Sequence, residues 1–198
     1  MNEVALYKRA FSLAILTIIC STLEGSFSVY YGYSSNSLTL FGNGVVSYIE
    51  VISGIGIAGM LVRLRKNTEG DATSFERTAL RITGIGLYAL AYGLVFMSIM
   101  NALKHEHPST TISGIIIAIV TICIIGALTI SKMKVGKSLN SPALIADAIC
   151  TKLCVYMSTA VLVSSLVFEA THFEYADSIG AIVLAYFANK EAGECFKF

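Results

Sequence analysis

Charge is what this chain has least of. Only 14% of its 198 residues are Asp, Glu, Lys or Arg, against about 25% in a typical soluble domain. Hydrophobic residues make up 55%, and the mean hydropathy is +0.72. A water-soluble globule is thereby excluded: a core of this size cannot hide so much apolar surface, and lipid must solvate the remainder. Tryptophan is absent, so any interfacial aromatic belt falls to the 10 tyrosines and 10 phenylalanines. With only 2 prolines, long helices can run without the kinks that a missing N–H imposes. A net charge of +1 gives no field to gather nucleic acid or an anionic substrate. Cys20, Cys123, Cys150, Cys154 and Cys195 show neither the spacing of a secreted disulfide framework nor the two-residue gap of a thiol-redox motif. No nucleophile–base set and no cofactor loop is visible. We therefore expect no enzyme, no resident cofactor and no nucleic-acid partner.

What is present is a series of apolar runs. A bilayer core of about 30 Å needs roughly 20 apolar helical residues. Windows at 9–32, 38–62, 79–103, 111–131, 143–168 and 176–190 meet that approximately, the last being short. Polar breaks separate them at Tyr33–Ser37, Arg63–Arg77, Lys104–Ser109, Lys132–Pro142 and Thr171–Tyr175. The runs are too long for barrel strands and lack period-two alternation. The first run carries Glu24 and lacks a small-residue cleavage site, so it reads as a mature helix and not a signal peptide. The expected fold is an all-α integral membrane protein, a bundle of six transmembrane helices in a single domain over 1–198. About eight residues follow the last window, which leaves no room for a soluble domain.

Placing both termini in the cytoplasm sorts the charges. Lys8, Arg9, Arg63, Arg65, Lys66, Arg77, Arg81, Lys132, Lys134, Lys137, Lys190 and Lys197 then lie inside, while Lys104 lies outside and Lys152 within a span. Glu106, Glu169, Glu174 and Asp177 fall outside. This is the bias that the positive-inside rule requires of short loops. It predicts an N-in, C-in, multi-pass protein, in the inner membrane should the host be a bacterium.

Ionisable groups inside apolar windows cost a few kcal/mol each and commonly face a bundle interior. Four occur here: Glu24, Glu50, Asp147 and Lys152. Cys150 and Cys154, four apart, share a helix face, as do Asn43 and Glu50, seven apart. Two helices presenting such pairs could close a tetrahedral site for a soft or borderline cation. The plainer reading is that the cysteines act as small hydrophobes, and that Asp147 and Lys152 are structural. Loop residues His105, His107 and His172 are taken as solvated.

Three segments carry a resemblance. Ser37–Glu50, reading SLTLFGNGVVSYIE, Ser141–Cys154, reading SPALIADAICTKLC, and Tyr175–Lys197 resemble the second, fifth and sixth membrane segments of cation diffusion facilitators. The chain looks like the short branch of that family, which lacks the cytoplasmic domain and tends to carry Glu-Gly in helix 1, here Glu24-Gly25. The resemblance implies efflux of divalent cations by proton-coupled alternating access. The family's central site would fall on Val46, Glu50, Cys150 and Cys154. Val46 cannot bind a metal, so the implied ligands are Glu50, Cys150 and Cys154, with Asn43 or water as the fourth. Glu24 and Asp147 are candidate proton-carrying or accessory groups. Thiolates would favour zinc or cadmium over manganese or magnesium. The implied partners are the metal cation, protons, the lipid bilayer and a second copy of the chain. Glycines at 54, 56 and 59 or at 84 and 86 offer close helix approach for such a homodimer or, the reading we favour, within one protomer. The competing expectation is a metal-binding or sensory membrane protein whose degenerate site no longer transports.

Overall fold

The computed structural model of the chain describes residues 3–65, 69–104, 112–171 and 175–195. Among these every element is helical: α1 (Glu3–Ser34), α2 (Leu38–Arg65), α3 (Glu69–Lys104), α4 (Ile112–Ser138), α5 (Pro142–Thr171) and α6 (Ala176–Cys195). Stretches within α1 to α5 are long and apolar enough to cross a membrane. The sixth helix carries Asp177, Lys190, Glu191 and Glu194, which lowers its apolarity. It packs against the others all the same, with Ala181, Leu184, Ala188 and Ala192 fully buried.

The distribution of side chains is the reverse of that in a water-soluble protein. The outer surface carries Ile19, Leu23, Phe27, Ile55, Ile85, Phe96, Ile116, Ile130 and Val163. The interior holds Thr17, Ser21, Glu24, Ser28, Asn43, Ser47, Glu50, Lys132, Asp147, Thr151 and Ser158. Lipid can solvate the first set and not the second, so the molecule is a multi-pass membrane bundle. Lys152, exposed on α5, holds its ammonium 5.2 Å from the Tyr156 ring centre, a cation–π contact that shelters a charge on an apolar helix.

Two helical hairpins form the heart of the bundle. In each, three residues separate the helices, and the two turns share one design. Gly32-Tyr-Ser-Ser-Asn-Ser37 joins α1 to α2, and Gly136-Lys-Ser-Leu-Asn-Ser141 joins α4 to α5. Asn36 and Asn140 adopt left-handed φ values of 54° and 46°. The amides of Ser37 and Ser141 donate to the carbonyls of Gly32 and Gly136, and those of Asn36 and Asn140 to Tyr33 and Lys137. That is the Schellman pattern, which satisfies the carbonyls at a helix end. Each serine then caps the next helix, its Oγ accepting from Leu40 N at 3.3 Å or Leu144 N at 3.4 Å.

Aligning the hairpins on these turns matches Asn43 with Asp147, Val46 with Cys150, Ser47 with Thr151 and Glu50 with Cys154. The match extends to bonding. Ser47 Oγ donates to the Asn43 carbonyl, and Thr151 Oγ1 donates to the Asp147 carbonyl. One candidate span, Gly84–Leu103 in α3, lies between the hairpins, so the second enters the membrane from the opposite side. This is the layout of an inverted repeat. α3 and α6 pack on each other and flank the hairpins.

Glycines let the first hairpin close. A Cβ on Gly32 would lie 2.4 Å from Phe41 N, and one on Gly54 would lie 2.9 Å from Ile18 Cγ1. Gly86 faces Ile49. Gly54 and Gly86 thus serve packing within one protomer.

The helices run beyond several of the apolar windows, and this corrects one expectation. Lys132, read from sequence as part of a cytoplasmic break, lies inside α4 and is 5% exposed. His105, His107 and His172 fall outside the described residues.

Candidate metal centre

The first helix brings a polar stripe to the interior. Thr17, Ser21, Glu24 and Ser28 recur at intervals of three and four, so they share one face. Three of them are fully buried, and Glu24 is 8% exposed. Against this stripe α2 sets Asn43, Ser47 and Glu50, and across the seam between the hairpins α5 sets Cys154 and Ser158.

Glu50 sits at the centre. Its Oε2 accepts from Ser21 Oγ at 2.8 Å and from the Cys154 thiol at 3.1 Å, while Oε1, fully enclosed, has no partner. Glu50 and Cys154 occupy equivalent positions of the two hairpins. Equivalent positions that touch each other lie where the axis relating the hairpins passes. A carboxylate and a thiol at this separation need to part by only a few tenths of an ångström to flank one ion, since ligands in a tetrahedral zinc site stand roughly 3.5 Å apart.

Asn43 is held elsewhere. Its Nδ2 donates to Glu24 Oε1 at 2.9 Å, and its Oδ1 accepts from Ser158 Oγ at 3.4 Å. Seven residues of helix separate it from Glu50, or about 10 Å along the axis. Cys150 lies a turn from Cys154 on α5 and is only partly buried. Among the described residues no three His, Cys, Asp or Glu side chains converge as a metal cluster. The structure therefore joins Glu50 to Cys154, joins Asn43 to Glu24, and keeps these pairs apart. Val46, 3% exposed, is part of the hydrophobic core.

Asp147 forms a third station. Its Oδ2 lies 2.8 Å from Lys132 Nζ, both side chains being almost wholly enclosed, and Lys132 also donates to Thr151 Oγ1 at 2.9 Å. Asp147 Oδ1 is left without a partner. From the end of the bundle that holds the α1–α2 turn, the interior thus reads Asn43 with Glu24, then Glu50 with Cys154, then Asp147 with Lys132.

Residues 14–197 match the model of the cation efflux transmembrane domain. The chain belongs to the cation efflux family. Members of this family are cation transporters, and a helical bundle with a polar interior is compatible with such a role. An uncharacterized transporter of Methanocaldococcus jannaschii is 29% identical over 182 residues, covering 90% of this chain. The chain spans 64% of that relative's length.

Sequence reasoning singled out Glu24, Asn43, Glu50, Asp147, Cys150 and Cys154, and all six lie on helices of the two hairpins. It missed Ser21, Ser158 and Lys132. The α1 stripe was a usable signal, because a polar residue every three or four positions along an apolar helix marks a buried polar face. The repeated Gly-x-Ser-x-Asn-Ser turn was another.

Proposed function

We propose that this chain carries a divalent cation of the zinc or cadmium class across the membrane, using Glu50 and Cys154 as the central ligand pair. The observation that carries the reading is their direct contact at equivalent positions of two oppositely inserted hairpins. Transporters built from inverted repeats hold their substrate near the midplane, at the repeat interface. Charge supports it as well. Among the described residues the bundle's middle holds the carboxylates of Glu24, Glu50 and Asp147 against the ammonium of Lys132. With all four ionised, two negative charges stay uncompensated, and one divalent cation balances them.

Cys150, a turn from Cys154 on the side of Asp147, joins the pair once the hairpins shift, with water as the fourth ligand. A carboxylate and thiols select a borderline-soft ion over manganese or magnesium. These groups must lose protons before they bind, so metal and proton compete for one place and can be exchanged. Efflux coupled to inward proton movement follows from that competition.

The test is zinc and cadmium flux into proteoliposomes under an imposed pH gradient, with Glu50→Gln and Cys154→Ala as controls. Flux that follows the gradient and falls to background in both variants is the expected result. The buried Val46 favours a second reading, a site that holds metal without moving it. Stoichiometric binding without flux, lost in Glu50→Gln, would select that reading.

A further inference from the structure

The two ends of the polar interior are built alike but charged differently. At the inner end α4 sends an ammonium, Lys132 Nζ, between Asp147 and Thr151 of α5. The matching residues of the first hairpin are Ser28 on α1 and Asn43 and Ser47 on α2. Among the described residues none supplies an ammonium here. Ser28 is fully buried, and its Oγ has no hydrogen-bond partner. It presses against α2 beside Asn43, since a Cβ on Gly44 would lie 2.9 Å from the Ser28 Cβ. One turn away stands Glu24, also buried, whose Oε1 is taken by Asn43 Nδ2 while Oε2 has no partner. Thr121 of α4 and Ser47 are further polar groups beside this carboxyl.

From this we infer a second cation site, made of oxygen atoms alone, at Glu24 and Ser28, with Asn43 holding the carboxylate in place from its amide nitrogen. It occupies the place that the tethered lysine ammonium fills in the other hairpin. A carboxylate and hydroxyls suit a hard cation, whereas the Glu50–Cys154 pair suits a softer one. Burying a carboxylate in a bilayer with half its acceptor capacity unused is expensive, and a bound cation satisfies both orphaned oxygens together. Its Glu24 lies three residues, about 5 Å of helix, along α1 from Ser21, which bonds Glu50, so an ion could hop from one carboxylate to the other. The site stands on the side of the α1–α2 turn. Its role as a stop on a cation path rests on the proposed transport, whereas its existence as a binding site does not.

Manganese(II) is the probe, as a hard, paramagnetic ion. Its binding to the purified full-length protein in nanodiscs is read from loss of the free-ion electron paramagnetic resonance signal. The wild type and the Cys150→Ala/Cys154→Ala variant are expected to bind Mn(II) alike, and Glu50→Gln, which removes only a neighbouring charge, should weaken binding less than Glu24→Gln does. Glu24→Gln should weaken binding by at least about tenfold, the equivalent of one charge-assisted contact. Ser28→Ala should weaken it less, and Asn43→Asp, which adds a carboxylate, should tighten it. Failure of the wild type to bind Mn(II), or equal loss in Glu50→Gln and Glu24→Gln, overturns the inference. Should Glu24→Gln not fold, an unchanged affinity in Asn43→Asp overturns it. Absence of cadmium–thiolate absorbance in the wild type while Mn(II) binds would sink the Cys154 assignment and leave this site standing.

Discussion

Replacing Lys132 by methionine tests how the interior is held together. The ammonium and the Asp147 carboxylate meet at 2.8 Å with side chains 4% and 3% exposed, so water cannot substitute for either. Methionine keeps most of the volume and removes the charge. Asp147, whose Oδ1 already lacks a partner, then loses the bond to Oδ2 as well. Breaking one side of a buried pair costs about 3–5 kcal/mol, and the lower end applies because Asp147, on the second turn of α5, lies near the inner end of the bundle and not at its centre. A loss of about 3 kcal/mol is therefore expected for Lys132→Met. Asp147→Asn should cost less, about 2 kcal/mol, because the ammonium keeps Thr151 Oγ1 and gains an amide oxygen. Lys132→Met combined with Asp147→Leu removes both charges and should return to within about 1 kcal/mol of the wild type. The assay is reversible unfolding in mixed micelles, followed by circular dichroism as denaturing detergent is raised. With Asp147→Leu alone measured to close the cycle, a double variant as unstable as Lys132→Met and Asp147→Leu summed would refute the reasoning, since it would show the two side chains to be energetically independent.

Asp177 and Gly32 allow the ends of the helices to be probed. Asp177, on the first turn of α6, accepts from Leu38 N at 2.6 Å, Thr39 N at 3.4 Å, Ser37 Oγ at 2.7 Å and Thr39 Oγ1 at 2.5 Å, so it caps α2 from another helix. Asp177→Ala should cost about 2 kcal/mol and speed hydrogen exchange at the Leu38 and Thr39 amides, with Asp177→Asn milder because one oxygen still accepts from Leu38 N. Gly32→Ala drives a methyl into the Phe41 backbone and should cost about 1–3 kcal/mol. Gly126→Ala, with nothing within 4 Å, should be neutral or stabilising by up to about 1 kcal/mol. Melting temperatures in one detergent compare the pair.

The helices were legible in the sequence because hydropathy alone reports what lipid can solvate. Windows such as 38–62 and 143–168 fall inside α2 and α5. Lys132 was misread for a physical reason: a lysine at the end of an apolar run looks like the start of a loop until its partner, 15 residues on in the next helix, is brought beside it. Asn43 and Glu50 share a face of α2, as their spacing required, yet a face seven residues long spans two turns and served two different partners. The bond from Asn43 to Glu24 depends on how closely α1 approaches α2, which glycines at 25, 32 and 44 set and no periodicity reports. The pairing of Glu50 with Cys154 was legible from face spacing as one of several contacts between two helices, and the resemblance narrowed it. Its structural basis is the repeated turn, which fixes both residues at the same distance from their Asn-Ser corner.

Those corners decide which parts of the molecule can move. A three-residue link closed by bonds to the carbonyls of Tyr31, Gly32 and Tyr33, or of Val135, Gly136 and Lys137, gives neither hairpin a joint, so each behaves as a stiff lever. Within the levers the side-chain bonds are short, such as Ser21 to Glu50 at 2.8 Å and Lys132 to Asp147 at 2.8 Å. Across the parting line they are weaker, Cys154 to Glu50 at 3.1 Å and Ser158 to Asn43 at 3.4 Å. Any opening of the bundle therefore follows that line, like the blades of scissors whose rivet is the Glu50–Cys154 contact. Rotation about it would widen one mouth as it narrows the other, with no helix bent.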